Sequence, residues 1–190
     1  MGAKGEETRA RLVRATRDLM EAHGYSGTGL NLVLAESGAP RGSLYFHFPS
    51  GKDQLVAQAL TEAGQEIGAM IETVGASHPE NAAATVTTLV GLLAERMEQS
   101  DYRKGCPIAT VALEVAATNE PLRRLCADTY ADWQSTLAEL LTEEGRDRAA
   151  ADATAGAVLA LIEGALLLAR VQHSRLPLDQ AARSAALLLA

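Results

Sequence analysis

Aromatic side chains are scarce in this 190-residue chain, at 4% of residues, with one Trp and two Phe. Ala and Leu are plentiful instead, a composition that leans towards helix. Cysteine is nearly absent. Cys106 and Cys126 stand far apart, match no metal-ligand spacing and supply no disulfide framework, so a reducing, cytoplasmic setting is expected. The opening residues MGAKGEETRARL hold no apolar signal core. The longest hydrophobic run, Ala153 to Ala169, covers roughly 17 residues, the lower limit for a membrane span, and is interrupted by Glu163 and two glycines. A carboxylate in mid-bilayer is costly, so this run is expected to be a packing helix.

No stretch alternates as a strand does, and there is no internal repeat or low-complexity tail. There is no Ser/His/Asp set, no phosphate loop, no metal spacing and no paired carboxylate in a recognisable context, and the four histidines are scattered. A helical enzyme is therefore disfavoured, and neither a metal nor another cofactor is expected. What remains is an ordinary soluble composition, 47% hydrophobic and 22% charged.

The charge is unevenly spread. The net charge of −7 argues against a nucleic-acid binder until it is divided along the chain. Residues 1–55 carry seven Lys or Arg and six Asp or Glu, a net of +1, whereas residues 56–190 carry ten basic and eighteen acidic groups, a net of −8. This is a mildly basic head on an acidic body. Such a head cannot depend on bulk attraction to phosphate and needs placed contacts, doubled by dimerisation.

Within the head, Leu12, Ala15, Leu19 and Ala22 recur at three- and four-residue steps and predict a helix from Glu6 to about His23, stopped by Gly24. Ser26-Gly27-Thr28 reads as a turn, with Thr28 the expected N-cap of a second helix whose core positions are Leu30, Val33 and Leu34. Gly38 ends that helix and Pro40 opens a third, Arg41 to about His47. Pro49-Ser50-Gly51 breaks the chain again before a fourth helix running to about Val74. Beyond it, helices are predicted over residues 80–99, 106–117, 120–143, 148–173 and 178–190, with Leu176-Pro177 as a break. The fold class is all-α.

Three short helices with a glycine turn between the second and third match the shape of a DNA major groove, where one helix braces on the backbone and the next sends its N-terminal residues among base edges. Leu30, Val33, Ala39, Leu44 and Phe48 are expected to form a small core, leaving Arg41, Gly42, Ser43, Tyr45 and His47 on or near the exposed side. The string Gly42-Ser43-Leu44-Tyr45-Phe46-His47-Phe48, followed by Lys52, resembles the TetR family of bacterial repressors. There, a Gly-[Ser/Thr]-Leu-Tyr-x-[His/Tyr]-Phe run sits on the recognition helix and a lysine opens the next. The stretch from Lys104 to Glu114 is similar to the LmrA/YxaF-like subgroup, whose members respond to multidrug or flavonoid ligands. Two positions depart from the pattern. Leu34 stands where an alanine usually lets the helices approach, and Gly51 is an extra residue before Lys52.

The resemblance implies a helix-turn-helix domain over residues 1–53 and a ligand-binding and dimerisation bundle over residues 54–190, about nine helices in all. It implies that Thr28 donates to a phosphate, that Pro40, Arg41, Gly42 and Ser43 meet base edges with Arg41 forking onto a guanine, and that Tyr45, His47 and Lys52 hold phosphates. It also implies a homodimer on double-stranded operator DNA, responsive to a small-molecule effector. On the seam helices, Ala155, Val158, Leu159, Ile162, Leu166, Ala185 and Leu188 are the candidate dimer contacts. Met70, Leu89, Leu93, Met97, Cys106, Val111, Trp133 and Leu137 are candidates for an apolar ligand pocket, with Glu163 its polar group. Residues 100–105 are expected to act as a flexible gate.

The overall expectation is a sequence-specific regulator, a repressor released from a palindromic operator by a small apolar ligand. An alternative on the same fold is a redox-responsive regulator sensing through Cys106, which follows Arg103 and Lys104 and begins a helix. A protein-interaction scaffold is the third class.

Overall fold

The structure, a computed structural model, describes residues 3–189. Nine α-helices and no strand occur among the described residues. They are α1 (Ala3–Gly27), α2 (Leu30–Ser37), α3 (Arg41–His47), α4 (Lys52–Ser77), α5 (Ala82–Gln99), α6 (Pro107–Val115), α7 (Glu120–Glu143), α8 (Arg148–Gln172) and α9 (Leu176–Leu189). The breaks between them follow the local chemistry. Gly24 interrupts α1 with φ 69° and ψ −168°, backbone that is essentially reserved for glycine. Gly38 closes α2 in the left-handed region, and Pro40 precedes α3 in extended geometry.

The chain divides into two compact units. The first holds residues up to Gly64 together with Pro107–Ala127, and the second holds Gln65–Cys106 with Asp128–Ala190. The boundary between these compact units runs through α4, and α6 with the start of α7 groups with the head, because α6 packs directly on α1.

In the first unit α1 also packs on α2 and α3. Leu12, Val13 and Met20 of α1, Val33 of α2, Leu44 of α3, Phe48, and Leu55, Val56, Ala59 and Leu60 of α4 are all buried. Leu30 and Leu34, expected in this core, are only half-buried. Gly51, the extra residue before α4, has φ 76° and donates its N–H to the Phe48 carbonyl at 2.9 Å. It therefore makes a tight turn of its own and delivers Lys52 to the first position of α4.

In the second unit α9 packs on α5 and α8. The buried stripe of α8 comprises Ala151, Ala155, Val158, Ile162, Ala165, Leu166 and Ala169, and that of α9 includes Leu178, Ala181 and Ala185. By length and composition α8 is apolar enough to cross a membrane. The expected helix at Glu80 starts later, since Glu80 has φ 55° and Asn81 caps α5 by accepting from the Ala84 N–H at 2.9 Å. Pro177 does not break the chain but lies in the first turn of α9, where its missing N–H costs nothing.

Residues 100–105 are a braced turn rather than an open gate. The Ser100 hydroxyl donates to the Met97 carbonyl and accepts from the Lys104 N–H, while the Arg103 side chain donates to the Ser100 carbonyl.

Candidate nucleic-acid interface

Helix α3 turns one face inward and one out. Leu44 is fully buried and Phe48, just past the helix end, is 2% exposed. The opposite side presents Arg41, Gly42, Tyr45 and Phe46, all exposed, with Pro40 exposed ahead of them and Ser43 and His47 half-buried at the margins. Arg41 makes no ion pair with any described residue. A Cβ added at Gly42 would meet nothing within 4 Å, so the helix is bare there. Phe46 and His47 stand edge to face with ring centroids 5.1 Å apart. Arg9 of α1 covers the Phe48 ring from 5.6 Å and pairs with Glu62 at 3.9 Å, which makes it part of the packing behind the face.

Thr28 does not join this surface. It is 1% exposed and its hydroxyl donates to the Gly24 carbonyl at 2.7 Å. The N-cap of α2 is Gly29, without a side-chain cap, so Thr28 neither caps the helix nor offers a donor to phosphate. Its hydroxyl is spent closing the turn that the break at Gly24 opens.

Lys52 is likewise drawn inward. Its ammonium donates to the Tyr25 carbonyl at 2.6 Å and sits over the Tyr25 ring, 4.0 Å from the centroid. Burial lowers its pKa, an effect that the Asp53 and Glu114 charges oppose. The Tyr25 hydroxyl donates to Asp53 Oδ1 at 2.6 Å, and the other Asp53 oxygen accepts from Asn119 at 2.8 Å. Glu114 of α6 accepts from the Ser26 N–H at 2.8 Å, and Thr110, one turn earlier, donates to the Met20 carbonyl at 3.0 Å. Burial would push the Glu114 carboxyl up, but the hydrogen bonds from Ser26 and Tyr25 and the Lys52 charge hold it below its ordinary 4.5. The end of α1, the start of α4, and α6 are thus tied by one polar joint. Of this joint, only Lys52 was singled out in the sequence. The partners lie 27 to 90 residues apart and leave no periodic signal.

A face of exposed polar and aromatic groups on the second helix of a helix-turn-helix is built to enter a groove. Comparison with known proteins decides its lineage. Residues 12–59 match the family model described as bacterial regulatory proteins, tetR family, and residues 82–184 match the transcriptional regulator LmrA/YxaF-like, C-terminal domain. The chain belongs to the TetR family. It is 34% identical over 172 residues to the HTH-type transcriptional regulator LmrA of Bacillus subtilis, covering 90% of this chain and 91% of the relative. It is also 32% identical over 176 residues to an HTH-type transcriptional regulator of Mycobacterium tuberculosis, covering 90% and 88%. A TetR transcriptional regulator from Chloroflexus aurantiacus, solved by crystallography, superimposes with a TM-score of 0.85 at 29% identity, over 98% of this chain and 96% of that one. As a TetR-family member the chain is a DNA-binding transcriptional regulator and not an enzyme.

The TetR-family body holds the remaining candidates. Ala155, Val158, Ile162, Leu166 and Ala185, read as seam residues, are buried within the protomer, so their side chains pack its own core. Leu159 is half-buried and Leu188 exposed. The large apolar residues that α8 and α9 leave uncovered are Leu167, Leu168, Val171, Leu176, Leu187 and Leu188. Of the pocket candidates, Leu89, Met97, Cys106, Trp133 and Leu137 are buried in the second unit, Met70, Leu93 and Glu163 are half-buried there, and Val111 is buried in the first.

Glu163 gathers a small polar cluster. It is hydrogen-bonded by Cys106 and Tyr130, whose own Sγ and hydroxyl lie 3.9 Å apart, and Tyr130 stands edge-on to Trp133 at 5.5 Å. The second carboxylate oxygen, Oε2, is buried and unmatched. Burial raises the Glu163 pKa, against the pull of those two hydrogen bonds. Cys106 is buried beside a carboxylate and a phenol, the reverse of the cationic, accessible setting of a reactive thiol.

Two outcomes follow. Tyr25 has its pKa raised to about 12, first by its hydrogen bond to Asp53 and then by burial and the Asp53 charge. Its neutral form is favoured in the folded state, so its contribution to stability is complete below pH 10 and is lost as pH rises from 10 to about 12. Ultraviolet titration should find Tyr25 ionising late, at about 12, and shifted back down in Asp53→Ala. A Tyr25 that titrates alike in both proteins contradicts the joint. For Glu163, the raised pKa means that stability present below its ordinary 4.5 is lost as pH rises through the folded value. Glu163→Gln should therefore melt at a higher temperature than wild type at pH 7.5, with the gain shrinking at pH 4. Equal melting temperatures at pH 7.5 would remove the burial cost from the account.

Proposed function

We propose that this TetR-family regulator is a cytoplasmic homodimeric repressor that reads a palindromic operator and is released from it by a small apolar effector. The observation that carries the reading is the outward face of α3, where Arg41, Gly42 and Tyr45 stand clear of the core that Leu44 and Phe48 anchor. In this reading, residues 1–53 do the DNA reading and residues 54–190 serve ligand binding and dimerisation. Pro40 and Gly42 let the backbone approach the groove, Arg41 forks onto a guanine, and Ser43 supplies a further hydrogen bond. Tyr45 and His47 hold phosphates. Lys52 acts from the joint, fixing the angle at which α4 leaves the head.

A head with a net charge of only +1 gains little from bulk electrostatics, so two heads acting together supply the affinity. The uncovered leucines of α8 and α9 support a seam between two copies, since exposed large apolar side chains on two helices that pack together suit an interaction surface. Cys106, Tyr130, Trp133 and Glu163 provide an apolar setting with a few polar groups, which suits an effector site. The effector acts by binding better to the form that cannot engage DNA. It thereby moves α4 and changes the spacing of the two heads.

Selection of bound fragments from a genomic library tests the reading. An inverted repeat should emerge with half-site centres about one helical turn, roughly 34–36 Å, apart. On that operator Arg41→Ala should cost about 1–3 kcal/mol and relax the preference at one base position of each half-site. Recovery of fragments with no shared sequence would refute the reading.

A further inference from the structure

Phe46 is unexplained by the core. The chain has two phenylalanines, two residues apart; Phe48 is 2% exposed and Phe46 is 71% exposed. No packing in the head requires an aromatic ring at Phe46, and a charged or polar side chain would solvate that position more readily.

Its place on α3 gives the ring a use. Gly42 lies one turn before Phe46, on the same side of the helix. A helical side chain leans back over the turn that precedes it, and a Cβ at Gly42 would meet nothing within 4 Å. The pair therefore makes a smooth apolar patch beside Arg41, on the face that enters the groove. The edge-on contact with the His47 ring, at an interplanar angle of 82°, restricts how Phe46 turns and holds it ready before any partner arrives.

The major groove displays one apolar group on the standard bases, the C5 methyl of thymine. We propose that Phe46 is a specificity residue that packs on that methyl in each operator half-site. The proposal rests on the DNA-reading role of α3 and adds to it a base that is recognised without a hydrogen bond. The neighbouring polar readers set the register, and Phe46 then separates thymine from cytosine, which offers an amino group and no methyl at the same edge.

The test uses the full chain and the operator obtained by fragment selection. Each dT is replaced in turn by dU, which removes the methyl alone, and binding is measured by gel shift at fixed salt. One dT per half-site should be sensitive, with wild-type affinity falling about fourfold for each methyl lost. Phe46→Ala should bind the parent operator more weakly, be indifferent to dU at that position, and respond to the other replacements as wild type does. Phe46→Leu, which keeps an apolar side chain, should retain part of the discrimination. Thermal melting checks that the variants fold, as an exposed residue permits. The proposal is overturned if no dT-to-dU replacement weakens wild type, if Phe46→Ala keeps the same sensitivity, or if Phe46→Ala instead changes the association state in gel filtration, which would assign the ring to a protein contact. If wild type selects no operator, the proposal falls along with the DNA-reading role, an outcome distinct from an operator that is bound without thymine discrimination.

Discussion

Helix α1 breaks at Gly24, and the peptide N–H groups just beyond the break lose their helical acceptors. Glu114, carried in on α6, accepts from the N–H groups of Tyr25 and Ser26. Gly24 is what admits it, because a Cβ at that position would collide with the Glu114 carboxylate. An acceptor-only group thus occupies a point where the backbone offers donors, and a missing side chain clears the way for it. The turn that follows sets the course of α2 and α3, so the direction of the reading helix depends on this one contact. Lys52, Tyr25, Asp53 and Asn119 extend it to the starts of α4 and α7.

The joint also explains how an acidic protein can carry a DNA-reading head. Bulk attraction to phosphate is weak when the whole chain carries −7. Orientation must do more of the work, and orientation is what charge-assisted hydrogen bonds between sequence-distant helices provide. That Lys52 is held among Tyr25, Asp53 and Glu114 fits this division of labour: a cation that a more basic head would spend on phosphate here fixes geometry.

The fold was legible in the sequence because its breaks are made by residues with few alternatives. Gly24, Gly38, Pro40 and Gly51 each mark a real boundary, and α3 begins and ends where the motif places it. Side-chain roles were less legible. Thr28 looks like an N-cap beside a helix start, but its hydroxyl finds the Gly24 carbonyl, which is freed by a backbone break whose detailed shape no periodicity encodes. On α8, apolar residues occupy nearly every side, so spacing alone could not say which stripe faces the core and which faces out. Ala155, Val158, Ile162 and Leu166 face the core, whereas Leu159 is half-buried and Leu167, Leu168 and Val171 are exposed. The joint itself was invisible for a simpler reason: Ser26 and Glu114 are 88 residues apart.

Operator affinity of Glu114→Ala tests the dependence of the reading helix on this joint most directly. Removing a carboxylate from an acidic protein should, by charge alone, strengthen binding to DNA. If the contact at Ser26 orients the head, affinity for the selected operator should instead fall severalfold, together with faster amide hydrogen exchange at Ser26 and retained helix content. Affinity equal to or above that of wild type would contradict it.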